Sequence, residues 1–260
     1  MLSQNRKIHL LLPIIVLTCY FTTTFAHEEN FSSKNSIEAY YLPSKHSLNR
    51  SLSLLFRYPF MFRSPKFLTA QGFDVKVSHR RLMIAGHRDM PNYLIKKFID
   101  HVPQSTQIKN FLKRIRGANA LRRHIKNLNL KHIVVPKKWL YQLPKGFPSP
   151  SYVLVVEKMD IYDDWDNPHG KARKLYYNMD KEILTEFCIL LHAAGGCDSI
   201  PRNQPFTHSG QIAFIDTEHY GENKGHFYKH ILPALNPELQ AYATALWEKL
   251  EDEERERKRH

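Results

Sequence analysis

The sequence predicts an α+β fold in which strands are concentrated before residue 157 and helices after it. Three observations carry that expectation. Strand patterns occur where Val75 and Val77 alternate with polar neighbours after Phe73, at Leu82-Met83-Ile84 and from Tyr93 to Phe98, all ahead of one long amphipathic segment, Gln104 to Leu130. Tyr152-Val153-Leu154-Val155-Val156 is a continuous apolar run of the kind a buried strand shows, and it ends in Glu157-Lys158-Met159-Asp160. Beyond it, apolar residues recur at helical spacing through Ile183, Leu184, Phe187, Leu190 and Leu191, and again between Pro233 and Leu250.

Residues 1–26 read as a secretory signal peptide. Arg6 and Lys7 form the positive region, Leu10 to Phe21 the apolar one, and Thr24-Phe25-Ala26 the small-residue cleavage site. The apolar run is short for a membrane span and is broken by Pro13, so the mature chain is expected to be secreted or periplasmic with no transmembrane helix. The leader holds two of the lysines and arginines, so most of the formal net charge of +13 belongs to the rest of the 260 residues. Residues 27–72 are rich in Ser, Asn, Lys and His and are expected to form a poorly ordered arm. Asn30-Phe31-Ser32 and Asn49-Arg50-Ser51 within it fit the N-glycosylation pattern.

The long segment has Ile108, Phe111, Leu112, Ile115, Ala118, Leu121, Ile125 and Leu128 on one face. The other is basic, through Lys109, Lys113, Arg114, Arg116, Arg122, Arg123 and Lys126. It reads either as a solvated helix face or as a surface for an anionic partner such as acidic lipid. No RNA- or DNA-binding motif accompanies it, so nucleic acid is not the expected partner. Asp163, Asp164 and Asp166 lack the glycine and terminal glutamate of a calcium loop and are expected at the surface. His and Cys have no paired metal spacing, which argues against zinc, and no hydrolase nucleophile elbow occurs. Two cysteines follow the leader, Cys188 and Cys197. Buried free thiols are the simpler expectation, while an oxidising compartment would permit a bridge between them.

Chemistry concentrates in residues 180–220. A helix pattern ends at Gly195-Gly196, and a polar turn carries Asp198 and, five residues on, Asn203. Ser209-Gly210 marks a turn, and Ile212-Ala213-Phe214-Ile215 is a short strand pattern delivering Asp216. An acid that accepts a nucleophile's proton, with oxygen ligands for a divalent cation, is what phosphoryl transfer requires.

The order Asp198, Asn203, Asp216 resembles the catalytic and metal-binding segments of the protein-kinase-like and aminoglycoside-phosphotransferase-like superfamily. It departs from protein kinases in that Gly196-Cys197 precedes the first Asp and Thr217-Glu218 follows the last; Ile215-Asp216-Thr217-Glu218 is closer to the small-molecule branch. The resemblance implies a two-lobe kinase-like fold: a β-rich N-lobe with one long helix over 73–156, a short, mostly helical C-lobe over 157–250, and a charged tail over 251–260. It implies ATP and Mg2+ as cofactors, Asp198 as catalytic base, and Asn203 and Asp216 as metal ligands. Lys96 would hold the phosphates, with Lys97 in reserve, and backbone groups near Glu157 and Met159 would bind adenine. The phosphoacceptor or protein partner is not specified by these residues. Two departures point to the alternative, a catalytically inactive pseudokinase-like binding module. No Gly-rich loop precedes Lys96, and no Asp or Glu occurs between Asp100 and Glu157 to pair with it.

Overall fold

The computed structural model describes residues 35–259 apart from 63, 79–81, 99–101 and 148–150. The expected signal peptide and Asn30-Phe31-Ser32 therefore lie outside the described residues. The chain is mixed α+β, built on a five-stranded antiparallel sheet with strand order β1-β2-β3-β6-β5. Its strands are β1 (Phe73–Val77), β2 (Leu82–His87), β3 (Tyr93–Phe98), β5 (Lys138–Gln142) and β6 (Tyr152–Glu157).

Both faces of this sheet are covered, and side-chain alternation along each strand sorts the residues between them. Odd-numbered residues, among them Phe73, Met83, Ala85, Ile95, Val153 and Val155, pack with Leu42, Leu48, Leu52, Phe56 and Leu68. Those partners come from the N-terminal segment, through α2 (Leu48–Leu55) and α3 (Pro65–Ala70), which follow the short α1 (Asn35–Glu38). Residues 35–72 are thus not the poorly ordered arm expected of them. Their polar composition hides Leu48, Leu52 and Phe56, a four-residue repeat that lays one stripe of α2 against the sheet. Ser64 caps α3 by accepting from the Phe67 amide, with Pro65 at the first helical position.

Even-numbered residues face α4 (Gln104–Asn127), where Leu82, Phe98, Leu140, Leu154 and Val156 meet Phe111, Leu112 and Ile115. The helix ends at Asn127, short of the expected Leu130, and Asn129 takes a left-handed conformation with φ 53°. On its far side α4 meets the segment around Thr217. A Cβ on Gly117 would stand 2.1 Å from the Thr217 carbonyl oxygen, so only glycine permits this backbone-to-backbone approach.

The remaining core centres on α6 (Lys181–Ala193), whose Leu184, Phe187, Leu190 and Leu191 pack with Ile133, Phe206, Phe214, Phe227 and Trp247. Asp180 caps α6 at the Glu182 amide. The strand expected over 212–215 is shorter: β7 is Ile212–Ala213, paired in parallel with β4 (Ile133–Val134). The Phe214 amide adds one more bond to the Val134 carbonyl. A small helix, α5 (Lys171–Tyr177), precedes α6, and Asp164 holds its first turn through the Lys171 and Ala172 amides.

The final helix, α7 (Pro237–Arg259), runs through the stretch expected as a fraying charged tail. Alternating charge there forms pairs along the helix, Asp252 with Arg255 and Glu254 with Lys258. Among the described residues no helix is long and apolar enough to cross a membrane.

Leu52 tests whether the N-terminal helices are part of the core. Its side chain is fully buried against the sheet, so Leu52→Ala is expected to cost about 2–5 kcal/mol in urea unfolding. A peripheral arm would leave the midpoint unchanged.

Candidate functional site

The main cavity, about 680 Å³, lies where β1, β2 and β3 meet the segment after β6. Ile84, Leu94, Pro136, Val156 and Ile215 supply apolar wall, Glu157, Lys158 and Met159 form one edge, and Lys96 stands at the inner end. This is the size and the mixture of apolar lining with few polar groups that small-molecule sites show. Glu157, named from sequence as an adenine-side residue, spends its carboxylate on the Lys137 amide and so shapes the wall. The Lys158 amide is bonded to the Asn92 carbonyl. The Met159 amide has no partner among the described residues and remains available to a ligand.

Strand parity separates the two candidate lysines. Lys96 shares its face with Ile84 and Leu94, toward the cavity, whereas Lys97 lies on the opposite face with its ammonium 5.1 Å from the Phe62 ring centroid. Burial lowers Lys97 to about 8, and it takes no part in the site. Lys96 is 8% exposed, and its ammonium makes no hydrogen bond or ion pair among the described residues. Burial lowers its pKa, Asp216 acts to raise it, and Arg114 lowers it further.

Asp216 lies beside that lysine in a network that sequence reasoning missed. Arg114, from α4, is 4% exposed, places Nε 3.6 Å from the Asp216 carboxylate and pairs through Nη2 with Glu218. Lys138, from β5, donates to the Ile215 carbonyl at 3.1 Å and to the Thr217 hydroxyl at 2.7 Å. Thr217 in turn donates to the Arg114 carbonyl at 2.6 Å. The pairing thus joins α4 to the residues that follow β7, with the helix supplying the cation. Lys138 sits well below the usual lysine range, from burial first and the nearby Lys96 second. Burial would raise Asp216, but Arg114, Lys96 and Lys138 outweigh it and hold the carboxyl at about 2.

The loop after α6 carries Asp198 and Asn203 and is tied to Ile215, a residue of the cavity wall. The Asn203 amide nitrogen donates to the Asp198 backbone oxygen at 3.0 Å and to its carboxylate at 3.3 Å, which leaves the amide oxygen free to face a cation. The Asn203 carbonyl accepts from the Ile215 amide at 3.0 Å, tying this loop to the residue before Asp216. The other Asp198 oxygen lies 3.1 Å from His226 Nδ1, a neighbour from a later segment that sequence reasoning also missed. Cys188 and Cys197 are free thiols, both buried and both pushed up to about 12, chiefly by burial.

The expected basic face of α4 is not one surface. Arg114 is buried in the site, and Arg122 donates to the Pro136 carbonyl and to Asn119. Arg116 stacks on Tyr40, and Lys113 lies 3.5 Å from Glu222. Helical spacing alone places Arg114 next to Lys113, but its position one turn from Ala118 turns it inward. No protein-family model and no curated protein matches the chain, so the functional reading rests on this geometry.

The residues present fit a nucleotide with magnesium on two counts. Lys96 offers a buried, unpartnered cation for phosphate, and Asp216 with the free oxygen of Asn203 offers the oxygen donors magnesium takes. The depressed Asp216 carboxyl contributes stability above its unfolded pKa of about 3.9, and that contribution is lost as pH falls through about 2. Urea unfolding between pH 2 and 5 should therefore show a steeper loss of stability for the wild type than for Asp216→Asn. Equal slopes would mean that the carboxyl is not held by its cationic neighbours.

Proposed function

We propose that this chain is a two-lobe, kinase-like phosphotransferase that uses ATP and Mg2+, acting after removal of a secretory leader. The observation that carries the reading is Lys96, a buried ammonium with no partner among the described residues, at the inner end of a nucleotide-sized cavity and beside Asp216. An anion of high charge density is the ligand that such a group accommodates best. The apolar wall formed by Ile84, Val156 and Ile215 suits a flat base, and the Met159 amide would fix its edge. Asp216 and Asn203 would hold the magnesium, which when bound neutralises phosphate oxygens between which charge develops. Asp198 would accept the proton of the acceptor hydroxyl. Asn203 donates to one oxygen of its carboxylate, and His226 Nδ1 lies 3.1 Å from the other.

Electrostatics sets the order of binding. Arg114 already engages both Asp216 and Glu218, and with Lys96 close by two cations face these two acids before any ligand arrives. Magnesium should enter with the triphosphate, whose negative charge makes room for it. The same contact favours the second reading, a pseudokinase-like module that binds without turnover, because an Asp216 kept in its ion pair cannot serve a metal.

Thermal shift and label transfer from ATP, on the purified mature chain, decide between these. Wild type should be stabilised by ATP with magnesium and not by magnesium alone, with about 2.7 kcal/mol at 100-fold the dissociation constant. Asp198→Asn should retain that stabilisation and lose at least about 100-fold in transfer, while Lys96→Met should lose both. Stabilisation without transfer by the wild type selects the binding module, and no stabilisation by any nucleotide removes the assigned cavity.

A further inference from the structure

A second charged cluster lies away from the cavity, where the end of α6 meets α7. His192 Nε2 stands 3.3 Å from Glu254 Oε2 and 3.6 Å from Glu251 Oε1. The His192 side chain is 7% exposed, yet Nε2 has no hydrogen-bond partner, since neither carboxylate is aligned to take one. The three ligand atoms lie within 4.8 Å of one another. Glu251 and Glu254 are three residues apart on α7, which puts both carboxylates on the face that meets α6.

We propose that His192, Glu251 and Glu254 form a binding site for a divalent transition-metal ion of the zinc class. Imidazole nitrogen and carboxylate oxygen bind zinc at about 2.0–2.2 Å, and two such ligands on a tetrahedron stand roughly 3.3–3.5 Å apart. The His192-to-carboxylate distances of 3.3 and 3.6 Å match that edge rather than a hydrogen bond. Lys224 donates to Glu251, and Lys258 donates to Glu254 at 2.6 Å.

Lys224 marks where the cation belongs. Its ammonium lies 2.6 Å from Glu251 Oε1 and 3.3 Å from Glu254 Oε2, bridging the two oxygens that would ligate the ion. A third-exposed lysine on a flexible stem can swing into solvent and leave a fourth position for water. The other His and acid grouping, His132 with Glu182 and Glu186, also has an imidazole nitrogen without a hydrogen bond, but His132 is about a third exposed and both Glu186 oxygens accept from the backbone amides of Lys131 and His132.

Zinc binding to the full mature chain tests the site, by equilibrium dialysis and thermal shift after treatment with chelator. Wild type should bind one zinc equivalent with a raised melting temperature. Lys224→Met should tighten binding by about tenfold through loss of the competing ammonium, and His192→Ala should lose the equivalent while His132→Ala keeps it. Glu254→Gln, a change at a partly exposed position, serves if His192→Ala fails to fold, and should weaken binding by about tenfold or more. Undiminished binding by His192→Ala or Glu254→Gln overturns the assignment. So does binding by Lys224→Met but not wild type, which would make the lysine the resident cation, or no binding by either.

Discussion

Arg114, Asp216, Glu218 and Lys138 are charged groups in the one place where the sheet, α4 and the segment after β7 all meet. Charge in such a location is tolerated only when it is paired and hydrogen-bonded, because desolvating it costs several kcal/mol per ion. The pairing therefore constrains everything around it. Arg114 must point inward for its two acids, which sets the rotation of α4, and Lys138 must reach the Ile215 carbonyl and the Thr217 hydroxyl, which sets how β5 meets the strand end. Gly117 completes the constraint, since any side chain there would hold the helix away from Thr217. Removing one partner would strand the others. That is why the network spans three elements.

Against that fixed point, the sheet decides which groups the cavity receives. Helices on one side and α4 on the other leave each strand residue a choice of two faces, and a shift of one position exchanges them. Lys96 and Lys138 share an even-numbered face and both reach the neighbourhood of Asp216, while Lys97 goes to the aromatic side with Phe62. The covering helices also hold the sheet from behind.

The loop that carries Asp198 is held at its start by close backbone approach. Gly196 adopts φ 99°, and a Cβ there would stand 2.5 Å from the Glu222 carbonyl oxygen. The Gly221 amide bonds back to the Gly196 carbonyl at 2.9 Å. The turn that includes Lys224 thus packs directly on the start of the Asp198 loop, and the same turn reaches the glutamates of α7.

Periodicity and punctuation sufficed for β1, β2, β3 and β6 of the main sheet though not for β5, for α4 and α6, and for the order of Asp198, Asn203 and Asp216, because these are local properties of the chain. A period of two or of 3.6 and a glycine stop are written in adjacent residues. The order of the acids also led to Lys96, though strand parity in the folded sheet was needed to exclude Lys97. What the sequence by itself could not determine is which distant residues share a buried space. Arg114 reads as one more cation on a basic helix face until Asp216 and Glu218 arrive from about a hundred residues away. The N-terminal helices read as an arm because polar composition outweighs three apolar residues at four-residue spacing, and only the sheet face they cover makes those three a core. His192 and Glu254 show no metal spacing along the chain, since the packing of α6 alongside α7, not proximity in sequence, brings their atoms to 3.3 Å. Tertiary structure decided these points because the free energy of burying a charge or an apolar side chain depends on its neighbours in space.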